Sequence, residues 1–317
     1  VTDPDILVLM ATCNGAARID RQLDSLARQT VPSWNLRIGD DGSTDETIPR
    51  IQAFADHHPG RVEKISTPPD RGIPAGIGRA AQNFLTLLVD SRDRPEAMIA
   101  LCDQDDHWYP DKLARAVAAL SDQDGPAVYA SSFRPTDDRL RPLGRPAVFP
   151  AGPSFANALV QGILCGNTIV ANPAAAALLR QAAQGAIEAA VPSHDWWIYQ
   201  IASGAGAKII VDPKPALDYV QHGDNLIGVH RGLATRIARK RLLQNGTYRD
   251  WLSANETALL KAADILTPTA RKTAVAFGDA RRSSPRITAA AIRDLGLHRQ
   301  TRAGTMALWL AARRGWL

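Results

Sequence analysis

Short apolar runs alternate with helix-patterned segments along the first half of the chain, and that alternation restricts the fold more than any other feature. ILVLMAT at 6–12 and AMIALC at 97–102 are continuously apolar, as strands buried on both faces are. Trp34, Leu36 and Ile38 alternate as a further strand, 61–66 reads as another, and AVYAS at 127–131 as one more. Between them, residues 19–29 place Ile19, Leu23, Leu26 and Ala27 at helical spacing. Ser43-Thr-Asp-Glu46 fits a capping box ahead of Ile48, Ile51 and Phe54, and Ile77, Ala81, Phe84, Leu85 and Leu88 share one helical face. Pro110 suits the first turn of the next helix. Repeated strand–helix units predict an α/β fold with a Rossmann-like, mostly parallel central sheet covered by helices on both sides. Such sheets bind ligands at the carboxyl ends of their strands.

Later segments are less regular. Residues 135–153 are rich in Pro and Gly and read as a loop. GILCGNTIVAN at 162–172 reads as a strand followed by a helix at 173–183, HDWWIYQIA at 194–202 as a helix and AKIIVD at 207–212 as a strand. After His230 the pattern is helical throughout. Charge divides at the same point: residues 231–317 hold 17 Lys and Arg against 5 Asp and Glu, whereas 1–230 hold 20 against 27. The expected organisation is therefore a domain at 1–230, with halves at 1–115 and 116–230, and a basic C-terminal helical region at 231–317.

Composition excludes several classes. Three cysteines without a CxxC pair, Cys13, Cys102 and Cys165, argue against a disulfide scaffold or structural zinc and for a reducing compartment. No apolar run is long enough to span a bilayer, and no signal-peptide pattern opens the chain, so the expected location is cytoplasmic. Arg236, Arg239, Lys240 and Arg241 beside Leu233, Ile237 and Leu242, and MALWLAARRGWL at 306–317, suit helices lying on the inner face of an anionic membrane. A packing surface for a homo-oligomer is the competing reading. No nucleic-acid motif accompanies the basic residues, so no nucleic-acid partner is expected.

Carboxylates gather where strands should end. Asp40-Asp41-Gly42-Ser43 follows the second strand, and Asp103-Gln104-Asp105-Asp106 follows AMIALC. Acidic side chains this close repel one another and need a positive partner. An oxygen-seeking cation, Mg2+ or Mn2+, fills that role where a diphosphate shares the site. The turn after the first strand, Ala11-Thr12-Cys13-Asn14-Gly15, is not a dinucleotide fingerprint, and Walker loops, Gly-x-Ser-x-Gly elbows and His-Glu-x-x-His helices are absent.

ATCNGA at 11–16, DDGSTDET at 40–47, Gly72 to Asn83-Phe84, LCDQDDHWYPDKL at 101–113 and HDWW at 194–197 occur in that order. Together they resemble the family 2 glycosyltransferases, inverting enzymes of GT-A fold, and YVQHGDNLIG at 219–228 resembles their rhamnosyltransferase-like branch. The resemblance spans roughly residues 5–230. It implies transfer of rhamnose or a related hexose from a dTDP- or UDP-sugar to a hydroxyl of a glycan or polyprenyl-linked acceptor in polysaccharide synthesis. A non-catalytic nucleotide- or glycan-binding subunit on the same scaffold is the alternative.

The implied roles follow residue by residue. Thr12 and Asn14 line the base and ribose pocket, and Asp40 or Asp41 accepts from the base N–H. Asn83 belongs to the donor side. Asp103 and Asp105 form the DxD pair, with Asp105 on the metal. Asp195 is the general base. Arg71 and Lys112 are candidates for the diphosphate, Trp196 for the acceptor, and His222 for either.

Overall fold

The computed structural model describes residues 4–69, 72, 77–145, 148–222 and 241–317. Strands β1 (Ile6–Thr12), β2 (Trp34–Asp40), β3 (Val62–Ser66), β4 (Met98–Asp103), β5 (His107–Trp108), β6 (Ala127–Thr136), β7 (Ile169–Ala171) and β8 (Lys208–Val220) form one sheet. Their order is β3-β2-β1-β4-β7-β6-β8-β5. The β1–β2, β1–β4, β2–β3 and β6–β8 pairs are parallel, while β4–β7, β6–β7 and β5–β8 are antiparallel. The sheet is therefore mixed, with the short strand β7 reversing direction between its two parallel blocks.

The apolar runs are buried on both faces, as their continuity requires. Leu7 and Leu9 of β1, with Ile99 and Leu101 of β4, enter one core; Ile6, Val8 and Met10, with Met98, Ala100 and Cys102, enter the other. Helices α1 (Ile19–Ala27), α2 (Thr47–His57) and α4 (Lys112–Leu120) cover the second face. Helices α3 (Ile77–Asp90), α6 (Pro173–Glu188) and α7 (His194–Gly204) cover the first, and the short α5 (Phe155–Ala158) packs against α7.

Further along, the described residues include α8 (Thr247–Lys261), α9 (Pro268–Arg282), α10 (Pro285–Asp294) and α11 (Arg302–Arg313). The last three begin at side-chain caps from Thr267, Ser284 and Thr301, which accept from the orphan N–H groups of the first turn. Tyr248, Leu252, Leu259, Phe277 and Leu308 of these helices join the same core as Phe84 and Trp197, so the C-terminal region seals the face formed by α3, α6 and α7. No helix among the described residues is long and apolar enough to cross a membrane.

Three local expectations are corrected. The strand expected from 162–172 is limited to Ile169–Ala171, preceded by a short 3-10 turn at Gly166–Thr168. The capping box does not form: Glu46 precedes α2 without a side-chain bond, because the Ser43 hydroxyl donates to Asp40 and accepts from the Asn14 N–H. Pro110 lies before the helix, with Asp111 preceding Lys112, because Pro110 O is taken by Thr30 N and Tyr109 N by Ala216 O.

Candidate active site

Register brings the chemistry together. Thr12, the last residue of β1, pairs with Asp40, the last of β2, and Ala11 pairs with Asp103, the last of β4. Three adjacent parallel strands thus end side by side beneath one cleft of about 930 Å3. Its lining includes Thr12, Asn14, Asp41, Arg79, Asn83, Asp103, Asp105, His194, Asp195, Trp196 and His222.

The first wall is a knitted turn. Thr12 Oγ1 donates to Asp40 Oδ1 at 2.9 Å, and Ser43 N donates to Asp40 Oδ2 at 2.8 Å. Both oxygens of buried Asp40 are therefore committed to holding the loop. Asn14, at a left-handed φ of 47°, accepts from Thr44 N at 2.8 Å, a conformation asparagine tolerates better than most residues. Of the two acidic candidates it is Asp41 that lines the cleft, bridged to Arg79 at 2.7 Å. Asn83 Nδ2 donates to Gly39 O at 2.7 Å, while its Oδ1 has no partner among the described residues. A Cβ on Gly39 would stand 1.9 Å from that Oδ1, so this approach needs glycine.

The DxD turn is fastened by the residue between the two carboxylates. Gln104 accepts from Cys13 N at 2.9 Å and donates to Cys13 O at 3.0 Å, tying the β4 turn to the β1 turn. Burial, then the carboxylates of Asp105 and Asp195, push Asp103 up to about 8. Asp105 Oδ2 lies 2.8 Å from His222 Nε2. Asp106 is turned inward, where its carboxyl accepts from Asn167 Nδ2 and from Val220 N. Burial, then Asp105 and Asp103, hold it well above the usual carboxylate range.

Helix α7 supplies the last carboxylate. Asp195 sits in its first turn, where a negative charge is favoured. Its Oδ1 accepts from Ser193 Oγ and, at 2.6 Å, from Trp196 N. Oδ2 receives no hydrogen bond among the described residues and remains available in the cleft. His194 stacks on Phe84 with ring centroids 4.1 Å apart, and burial lowers its pKa, which keeps the ring neutral.

The residues fit a divalent cation in part. Neighbouring donors on an octahedral ion with ~2.1 Å bonds stand about 3 Å apart, close to the Asp105–His222 separation. Among the described residues no group of three or more His, Cys, Asp or Glu is arranged to hold a metal. Any further positions would have to come from water or substrate phosphates, the usual arrangement for Mg2+.

Other candidates sit elsewhere. Lys112 is 0% exposed, with Nζ 3.5 Å from the centre of the Trp108 ring, so it is a core residue and does not line the cleft. Burial pushes its pKa down to about 7. Trp196 borders the cleft but is 7% exposed; its indole N–H donates to Ala158 O at 2.6 Å and its ring stacks on Tyr248. Arg71 lies outside the described residues, as do Leu233, Arg236, Ile237, Arg239 and Lys240 of the basic segment. Sequence reasoning missed Arg79, Gln104, His194 and, in the C-terminal region, Trp251, all of which line the cleft. HDWW carried a signal for His194; Arg79 and Trp251 are isolated residues that no motif marks.

Residues 7–184, more than half of the chain, match the family model described as glycosyl transferase family 2. The dTDP-rhamnosyl transferase RfbG of Shigella flexneri is 27% identical over 261 residues, covering 79% of this chain and 84% of that protein. Among solved structures, the mannosyltransferase PcManGT from Pyrobaculum calidifontis, in complex with GDP-Man and Mn2+, aligns over 98% of this chain and 86% of its own, with 22% identity and a TM-score of 0.52. S. aureus TarS 1-349, in complex with UDP-GlcNAc, aligns over 98% and 88%, with 17% identity and a TM-score of 0.56. The chain belongs to glycosyl transferase family 2 and has the GT-A fold with C-terminal helices.

Proposed function

We propose that this family 2 glycosyltransferase is a metal-dependent, inverting enzyme that moves rhamnose or a related hexose from a dTDP- or UDP-sugar to a hydroxyl of a glycan or lipid-linked saccharide. The observation that carries the reading is the convergence of Asp103, Asp105, His222 and Asp195 in one cleft at the carboxyl ends of β1, β2 and β4. The similarity to a dTDP-rhamnosyl transferase supports the choice of donor.

In this reading Thr12, Asn14, Asp40 and Asn83 shape the nucleotide pocket, and Asp41 is the acceptor for the base N–H. Asp105 and His222 hold Mg2+ or Mn2+, with Asp103 toward the ribose or a water. When bound, the cation offsets the negative charge that grows on the departing diphosphate. Asp195 Oδ2 takes the proton of the acceptor hydroxyl as it attacks, a contribution of roughly 10²–10⁴ in rate. A single displacement leaves the anomeric centre inverted.

Helix α11 supports work at the cytoplasmic face of an anionic membrane. Met306 and Leu310 are 57% and 40% exposed on α11, between exposed Arg302 at its start and Arg313 and Arg314 at its end. An apolar stripe flanked by arginines suits an interfacial helix. Flotation with vesicles containing anionic lipid tests this, and failure to float would refute it.

The reaction itself is tested by incubating the protein with dTDP-rhamnose or UDP-hexoses, Mn2+ and candidate saccharide acceptors. Nucleoside diphosphate should be released only when acceptor is present, and NMR should find the product anomer inverted. Retained configuration, or no acceptor-dependent release from any donor, would overturn the proposal.

A further inference from the structure

The sheet order divides the cleft in two. Strands β2, β1 and β4 bring polar and charged groups to it: Asp41 with Arg79, then Asp103 and Asp105. Beyond β4, apart from His222 after β8 and the Ser193–Asp195 turn that opens α7, the lining is largely apolar. Phe133 on β6 packs against Tyr219 on β8, with ring centroids 5.2 Å apart, and Ile163 and Leu164 come from the segment leading to β7. Phe149 and Trp251 complete this wall.

Trp251 belongs to the C-terminal helices, beyond the segment that matches the family model. Its helix is anchored beside the cleft by Tyr248, which is buried and donates to Val160 O at 2.7 Å. The Tyr248 ring also stacks on Trp196, with centroids 6.2 Å apart and planes 13° from parallel. Trp196 immediately follows Asp195. Trp251, one helical turn after Tyr248, is half-buried and reaches the same cleft as Asp195.

We propose that Trp251, with Phe149, Phe133, Ile163 and Leu164, forms an acceptor subsite for a saccharide carrying an apolar aglycone. This rests on the glycosyl-transfer reading above and narrows its acceptor. In that reading a cation at Asp105 and His222 draws the diphosphate donor to the polar half of the cleft, which leaves the apolar part to the second substrate. One or two aromatic faces suffice to cover a pyranose ring; the half-buried Phe133, Phe149 and Trp251 from three separate segments, over a floor of buried Ile163 and Leu164, offer more than a bare sugar can use. Continuity of the wall with the Asp195 carboxylate places the sugar hydroxyl at the reacting end and the aglycone along the wall. Trp251 acts here as a specificity-determining residue.

The test uses the full chain with Mn2+ and saturating dTDP or UDP. Octyl and methyl glycosides of rhamnose and of glucose are titrated by calorimetry below the micellar range. For at least one of the two sugars the octyl glycoside should bind at least tenfold more tightly than its methyl counterpart. Trp251→Ala should bring that ratio to within about twofold, and Trp251→Phe should keep most of it. Phe149→Ala is a second variant that should lower the ratio without touching the C-terminal helices. Equal affinity or no binding of octyl and methyl glycosides by the natural chain overturns the proposal, as does an unchanged ratio in both alanine variants. Nucleotide binding in the same samples reports the donor site separately: its loss would refute the glycosyl-transfer reading, whereas its persistence without an octyl preference refutes only the aglycone subsite.

Discussion

His222 Nε2 stands 2.8 Å from Asp105 Oδ2, although 117 residues separate the two along the chain. The buried neighbour of Asp105 joins their two elements. Asp106 Oδ1 accepts from Val220 N, two residues before His222, so a carboxyl inside the protein fixes the spacing of two side chains in the cleft. Four-carboxylate clusters are unfavourable unless offset, and this one is divided: Asp106 is satisfied by internal donors, and Asp103, Asp105 and Asp195 face the cleft.

Replacing Asp195 by Asn keeps the shape and the bond from Trp196 N but removes the proton acceptor. Donor affinity should stay within about twofold, while turnover falls roughly 10²–10⁴-fold. Steady-state kinetics with a nucleotide titration check both, and unchanged turnover would remove Asp195 from the chemistry.

Asp106→Ala leaves Asn167 Nδ2 and Val220 N buried without their acceptor. Each orphaned group costs about 1–3 kcal/mol, so urea unfolding should detect a clear loss of stability. Mn2+-dependent nucleotide binding should weaken as well, because the spacing between Asp105 and His222 is released. Stability equal to that of the natural chain would show that the inward bonds are dispensable.

Gly39→Ala introduces a Cβ where Asn83 Oδ1 approaches to 1.9 Å. Either the Asn83 amide swings away and loses its bond to Gly39 O, or the β2 end or α3 shifts, at a cost of about 1–3 kcal/mol. A thermal melt unaffected by this substitution would contradict the close packing of β2 on α3.

Lys112 gives a pH signature. Its folded pKa is pushed down to about 7 by burial, against about 10.4 in an unfolded chain. Between those values the unfolded state binds the proton and the folded state does not, so this group makes stability rise with pH from about 7 to 10, by at most about 1.4 kcal/mol per unit. Below pH 7 both states are protonated and its contribution is flat. Subtracting the profile of Lys112→Met isolates the effect from tyrosines and cysteines that titrate in the same range. A difference profile independent of pH would mean that the buried amine stays charged.

Legibility in the sequence followed burial. ILVLMAT and AMIALC were readable because a strand covered on both sides must be apolar throughout, and Leu7, Leu9, Ile6 and Val8 divide between the two cores accordingly. Strand β8 extends to Val220, well past the apolar AKIIVD run, because its second half pairs with β6 across register shifts that accommodate Pro213 and Pro215. The carboxylate turns were readable as a cluster, yet their division of labour was not. Asp40 and Asp41 are adjacent and alike in sequence; only the Thr12 and Ser43 bonds make one a scaffold and leave the other in the cleft. Lys112 was misleading for a related reason: its amine rests on the Trp108 ring inside the core, which no local pattern announces. Trp251 was invisible because its role depends on how α8 packs beside α7.

The most direct test of the account is calorimetric titration of the natural chain and of Asp105→Asn with dTDP-rhamnose, each with Mn2+ and again with a chelator. Binding by the natural chain should require the metal, and the substitution should weaken it at least tenfold when Mn2+ is present while making no difference without it. Equal affinity with and without metal, or an Asp105→Asn protein that binds as well as the natural one, would contradict a cation held at Asp105 and His222.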